Sequence, residues 1–238
     1  MSKYVIVHVP HSSDVIPSDE GYLVDTRRER NIVTDWYTDD LITADQSVIF
    51  PFSRIYCDVE RFEDDPLESA GQGVYYTKTL AGEALRERND DTVRKVMSLY
   101  RGHHHSLATA IEQAISLLPV CLIDAHSYSD FQASFTGRPE RPDICIGTDR
   151  DHTPAALVER LETLFTKAGY SVAVDRPYAG TMIPEAFRGN RDFSAVMLEI
   201  NKRLYLTSGD VLAIPQPSKG YTKLKEVLDE AVAIIEQI

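Results

Sequence analysis

The 238-residue chain has little cysteine and little tryptophan, three residues of one and a single copy of the other. Cys57, Cys121 and Cys145 are odd in number, form no CxxC pair and sit in apolar, strand-like runs. They read as packed core thiols rather than a disulfide framework or a cysteine metal site. No apolar stretch reaches the roughly 18 residues that a membrane span needs. The opening MSKYVIVHVPH has only a short apolar run before a charged loop, so no signal peptide is expected and the chain is expected in the cytoplasm. Positive charge is also scarce, with 25 Lys and Arg against 37 Asp and Glu and a net charge of −12. That balance opposes attraction to nucleic acid or anionic membrane. It leaves room for a small anionic substrate, because a few arginines in a pocket outweigh the global field locally. Repeats, low-complexity tracts and linkers are lacking too, which makes one domain over 1–238 the expectation. What is present, 43% hydrophobic and 26% charged residues, is the composition of a folded globule.

Short β-rich runs alternate with helical patterns. Tyr4 to Val9, Gln46 to Phe50, Val120 to Asp124, Asp143 to Gly147, Ser171 to Val174 and Ala195 to Ile200 read as strands. Several are almost continuously apolar, as in strands covered on both faces. Thr153 to Ala168 opens on Thr-Pro and stops at Gly169, and Tyr221 to Ile235 is amphipathic, so both read as helices. The expected fold is α/β, a mixed, mostly parallel sheet with helices on both faces. A third helix spans about Asp91 to Leu118. Val93, Met97, Tyr100, Leu107, Ile111, Ala114 and Leu118 recur at spacings of three and four, and His104 fills the vacant place in that stripe. His103 and His105 are expected to point sideways. His104 is therefore either a hydrogen-bonded core histidine or a site residue.

In open α/β sheets ligands bind beyond the carboxyl ends of the strands. Pro10-His11-Ser12-Ser13-Asp14 follows the first strand, and Ala125-His126-Ser127 follows the third. Glu199 lies inside the apolar run VMLEI, with Asn201 just after it. Two imidazoles and carboxylates converging at one edge are the ingredients of a mononuclear zinc site with an open position. Taken singly, His11 could pack against a turn, His126 could pair with Asp124, and Glu199 could meet an arginine. A carboxylate in an apolar strand still requires a partner or a function.

Seven segments, in order, resemble the N-formylglutamate amidohydrolase family. They are PHSSDVIP from Pro10, TDW from Thr34, SRIYCDVERF from Ser53, YRGHHHSL from Tyr100, IDAHSYSD from Ile123, RPYAGTMIP from Arg176 and EINKRLY from Glu199. The resemblance implies a metallocarboxypeptidase-like fold and one zinc ion per chain held by His11 and His126. The third ligand is Asp35 from the Thr-Asp motif, preferred over Asp14, which the carboxypeptidase spacing His-x-x-Glu would choose. Asp14 otherwise reads as a turn residue, and Asp35 as a carboxylate at the start of a helix. Glu199 matches the family's general base and acid, and His104 its helix histidine, which would stabilise the tetrahedral intermediate or orient the substrate. Arg54 and Arg61 are the choices for gripping a substrate carboxylate or the oxyanion, the alternative being pairing with Glu60, Glu63, Asp64 and Asp65. Tyr178 and Gly180 belong to a PYAG loop that either closes over the pocket or is an ordinary turn, and Asn201 is a further substrate contact. The chain departs from the family at Glu60, where Asn is usual before the arginine, and at Lys202, where Arg is usual.

The function implied is zinc-dependent hydrolysis of the amide bond of an N-acyl amino acid, with N-formyl-L-glutamate, giving formate and L-glutamate, as the leading substrate. A zinc carboxypeptidase acting on short peptides and a non-catalytic ligand-binding protein on the same fold are the alternatives. Retention of both histidines with Glu199 opposes the second.

Overall fold

A computed structural model describes residues 2–18, 21–130, 141–207, 209–210 and 212–238. Its centre is a six-stranded sheet in the order β2-β1-β3-β6-β4-β5. The strands are β1 (Tyr4–Val9), β2 (Gln46–Ile49), β3 (Val120–Tyr128), β4 (Ile144–Gly147), β5 (Val172–Val174) and β6 (Phe193–Asn201). β1, β2, β3 and β6 run parallel, while β4 pairs antiparallel with β6 and parallel with β5. The sheet is mixed and mostly parallel, as the alternating pattern led one to expect.

Strand alternation divides the side chains between two faces. Val5, Val7 and Val9 of β1 pack with Ile123, Val196 and Leu198 into a core shared with α4 (Ala155–Lys167) and α5 (Tyr221–Glu236). Ile6, Leu122 and Ala195 point the other way, into a core with Leu107 and Ile111 of α3 (Asp90–Ile115). α3 begins where Asn89 caps it, its side chain accepting from the backbone N–H groups of Asp91 and Thr92 at 3.0 and 3.1 Å. Two short helices, α1 (Arg27–Val33) and α2 (Thr38–Leu41), lie between β1 and β2. Among the described residues no helix is long and apolar enough to cross a membrane.

Three expectations change. β3 runs four residues past Asp124 because β6 pairs with it along its whole length, from Val120↔Phe193 to Tyr128↔Asn201. His126 is thus a strand residue, not a loop residue. α3 stops at Ile115, leaving Leu118 outside the helix and 43% exposed. Its buried stripe is Val96, Tyr100, His103, Leu107, Ile111 and Ala114, so the histidine that faces inward is His103, not His104. Either fits between Tyr100 and Leu107, at three-then-four or four-then-three. Burial of Val96 rather than Met97 one turn earlier sets the rotation.

β4 ends at Gly147, where a Cβ would lie 2.2 Å from the carbonyl oxygen of Gly180. Only glycine lets the 175–180 loop close onto the sheet there. In the larger core Leu228 of α5 is fully buried, whereas Leu117 is 76% exposed. Leu228→Ala should cost about 2–5 kcal/mol of folding stability, and Leu117→Ala no more than about 0.5 kcal/mol, as read by urea denaturation.

Candidate active site

The parallel strands bring three side chains to one face of their carboxyl-terminal edge. His126 of β3 and Glu199 of β6 are direct register partners, and His11 follows β1 two residues after its end. Asp35 joins them from the turn between α1 and α2, tied there by its backbone N–H to the carbonyl of His11 at 2.9 Å. It is not the first residue of a helix. All four are nearly or fully buried and line one pocket of about 300 Å³.

His11, Asp35 and His126 each offer one ligand atom, and the three atoms lie within 4.8 Å of one another. Asp35 Oδ2 stands 3.6 Å from His11 Nδ1 and 3.4 Å from His126 Nδ1. The remaining polar atom of each residue is committed elsewhere. His11 Nε2–H donates to Asp58 Oδ1 at 2.9 Å, and His126 Nε2 lies 3.2 Å from Asp124 Oδ1. Ser127 Oγ donates to Asp35 Oδ1 at 3.0 Å, with Lys202 Nζ at 3.5 Å from the same oxygen. Carboxylates that hold the far nitrogens of two histidines fix the tautomer that leaves Nδ1 bare, the arrangement typical of metal-binding imidazoles. His11 Nδ1 is buried and has no hydrogen-bond partner among the described residues. Two nitrogens and one oxygen leaving an open side fit a divalent cation such as zinc.

The electrostatics follow from burial and pairing. Burial works against charge on Asp58, yet Arg54 holds its carboxyl well below the usual range. Arg54 does so by donating from Nε and Nη2 to Asp58 Oδ2 at 3.1 and 2.8 Å, and Tyr76 donates to the same oxygen at 2.9 Å. Asp35 is also buried and also held down, chiefly by Lys202 and then by the two histidines. Burial lowers His11, whereas Asp124 overrides burial at His126 and lifts that ring well above the usual value, so a cation taking its Nδ1 displaces a proton there. At Glu199 the balance goes the other way: burial, together with Asp35, outweighs the pull of His126, Lys202 and Arg54. Burial pushes its carboxyl up to about 7, and Oε2 has no hydrogen-bond partner among the described residues. A carboxyl poised near neutrality beside an open coordination position is suited to moving a proton.

The other candidates divide. Arg61 and Tyr178 line the pocket with Arg54. Arg61 Nε donates to the Gln72 carbonyl at 3.1 Å, and the Tyr178 hydroxyl receives Arg141 Nη1 at 2.7 Å. Asp14 turns away to Arg30, 3.0 Å from its Nη1, so it does not join the histidines. His104 packs against Tyr100 with ring centroids 4.4 Å apart and the planes tilted by 54°, and does not line the pocket. Asn201 is also spent elsewhere: its amide donates to Asp130 and the Pro142 carbonyl, and its oxygen accepts from the backbone of Arg203. Gly180 does not line the pocket, although its neighbour Ala179 does. Sequence reasoning missed Asp58 and Ser127. Asp58 has the same signal as Glu199, a carboxylate framed by apolar residues in IYCDV.

The N-formylglutamate amidohydrolase family model matches residues 4–206. The chain belongs to that family. It is an enzyme of the amide-hydrolysing class, with a small molecule as substrate. No curated protein matches it. Among solved structures it is similar to N-formylglutamate amidohydrolase from Ralstonia eutropha JMP134, at 20% identity and a TM-score of 0.80, over 99% of this chain and 94% of that one. It is also similar to the gene product Atu2144 from Agrobacterium tumefaciens, at 21% identity and a TM-score of 0.66, over 99% and 92%. Both similarities are similarities of fold. A metallo-carboxypeptidase from Pseudomonas aeruginosa, at 11% identity and a TM-score of 0.33 over 99% and 56%, is too distant to argue from.

The Arg54–Asp58 pair is the test of how this edge is held. Arg54→Met should lower stability by about 1.5–3 kcal/mol, because it leaves a buried carboxylate without its charged donor. Arg54→Met combined with Asp58→Asn should recover part of that loss in urea denaturation. Additive losses would show that the two side chains do not depend on each other.

Proposed function

We propose that this enzyme is a zinc-dependent amidohydrolase that cleaves N-acyl amino acids, with N-formyl-L-glutamate as its leading substrate. The observation that carries the reading is the convergence of His11 Nδ1, Asp35 Oδ2 and His126 Nδ1 beside Glu199. Family membership supplies the reaction class. Bound by those three atoms, zinc would polarise the scissile carbonyl and acidify the attacking water.

The rest is the work of side chains. Glu199 takes the proton from the attacking water and passes it to the leaving nitrogen. It does so from a carboxyl that burial has brought near neutrality, so neither transfer is strongly uphill. Arg61 is the better placed arginine for a substrate carboxylate. Arg54 is held to Asp58 by two donors at 3.1 and 2.8 Å, whereas Arg61 Nε donates to the Gln72 carbonyl and stands farther from Asp58 Oδ2, at 3.6 Å. The Tyr178 hydroxyl, fixed by Arg141, closes the far wall and helps exclude water.

Formate release from N-formyl-L-glutamate by the zinc-loaded enzyme tests the reading against N-acetyl and N-formyl amino acids and a blocked dipeptide. Faster cleavage of the dipeptide would make the enzyme a carboxypeptidase, and no turnover of any member would make it a binding protein. Glu199→Gln should lower kcat by about 10²–10⁴ while zinc stoichiometry stays unchanged. Loss of zinc from this variant would make Glu199 a ligand instead. Arg61→Ala should raise KM for acidic N-acyl amino acids more than for neutral ones, since only the former lose a bidentate contact. Equal rises on both would assign Arg61 to the fold or to the oxyanion.

A further inference from the structure

The two histidines that offer Nδ1 atoms are backed by carboxylates of different kinds. Asp58, behind His11, is held by two donors of Arg54, by Tyr76 and by the backbone N–H of Glu60. Asp124, behind His126, has no lysine or arginine bonded to it among the described residues. Its Oδ2 accepts from the backbone N–H of Met182 at 3.0 Å. Its Oδ1, the oxygen that meets His126, is 2.9 Å from His8 Nδ1. Strand pairing enforces this contact, because His8 on β1 and Asp124 on β3 are register partners.

His8 is fully buried on the face of the sheet that meets α3. Its second nitrogen, Nε2, lies 2.8 Å from Nε2 of His103, the buried histidine of that helix. The two rings sit 5.1 Å apart at 35°. A carboxylate only accepts, so His8 Nδ1 and His126 Nε2 must both carry the hydrogens that reach Asp124. One further hydrogen lies between His8 and His103. Whichever ring carries it, the chain runs from α3 through β1 to β3 and ends at Nδ1 of His126, which faces Asp35 Oδ2 at 3.4 Å. His8, Glu60 and Asp124 also stand close enough to contact one cation. This chain accounts for the ring N–H groups on Asp124 Oδ1, with Glu60 Oε1 standing farther from His8 Nδ1, at 3.3 Å.

From this geometry we infer that His8, braced by His103, is a positioning residue for the cation ligand His126. It acts through Asp124, in the place that Arg54 occupies for His11. The inference rests on the reading of His126 as a ligand. Without the His8 donor, Asp124 Oδ1 is free to rotate away, and His126 loses both its orientation and the partner that makes it a stronger ligand.

Zinc affinity of the purified protein, measured by competition with a chromophoric chelator, separates the possibilities. His8→Leu keeps the volume and removes the donor, and should weaken zinc binding about 10–100-fold. His8→Asn places an amide N–H where Nδ1–H was, and should recover most of that affinity. The cobalt-loaded form of His8→Asn should also reproduce the wild-type absorption bands, while His8→Leu shifts them. Zinc-free urea midpoints are measured alongside, because a space-filling role alone predicts equal losses for Leu and Asn. Such equal losses, or wild-type zinc affinity in His8→Leu, overturn the inference. Should His8→Leu not fold, His103→Leu must show a smaller loss in the same direction, and unchanged affinity there overturns the inference as well. A wild-type protein that takes up no zinc, or a His126→Ala variant that binds it normally, overturns the ligand reading and this inference with it. Normal affinity in His8→Leu beside lost affinity in His126→Ala overturns the inference alone.

Discussion

A charge taken into a protein interior must find a partner, and at one sheet edge this enzyme buries five ionisable side chains together. His11, Asp35, Asp58, Asp124 and His126 are almost completely removed from solvent. None could stay there alone without a cost of several kcal/mol. The answer is mutual pairing, with each carboxylate set against an imidazole and each imidazole against a carboxylate. Around this cluster Arg54, Lys202 and Ser127 take up the remaining oxygens. The geometry of the edge is the geometry of that compensation.

Pairing also divides the chemistry among groups that look alike in sequence. Asp35, Asp58, Asp124 and Glu199 are all buried carboxyls on one side of the sheet. The first three are held low by cations or imidazoles, whereas at Glu199 burial and then Asp35 outweigh His126, Lys202 and Arg54, and the carboxyl rises to about 7. Carboxyl groups driven apart in acidity by their surroundings take different roles, some as fixed negative charge and one as a proton carrier. Glu60 rises as well, pushed by burial and then by Asp124. An acid there, next to Arg61, adds less negative charge to the pocket than its sequence suggests. That softens the conflict between Glu60 and an anionic substrate.

The long helix α3 has a part in this beyond covering the sheet. Its inward stripe is apolar at Leu107 and Ile111, where it meets Ile6 and Leu122. One turn nearer the site it switches to His103, where the facing strand presents His8. The two faces change character at the same level because strand register and helix rotation are set by the same apolar contacts below. Polar contacts at the edge therefore inherit their alignment from the core.

Much of this was legible before any coordinates. All six strands, α3, α4 and α5 follow from apolar runs, capping residues and 3.6-residue periodicity, which are local properties of the chain. His11, His126 and Glu199 stand out because polar groups in or just after apolar strands require an explanation. Other features were not legible, because they depend on relations between segments far apart in the chain. Whether His103 or His104 turns inward depends on helix rotation, and both suit the same spacing. The family motif favours Asp35 over Asp14, but that Asp35 stands beside the histidines while Asp14 meets Arg30 depends on where the turn after α1 meets the carbonyl of His11. The extension of β3 to Tyr128 required β6 as its partner, and Asn201 left the pocket because Asp130 and Pro142 claimed its amide. Local patterning chose the elements and the kinds of residue at the edge. Which atoms face each other there was decided only when strand register and helix packing brought residues 8, 58, 103 and 124 within hydrogen-bond reach of the site or of each other.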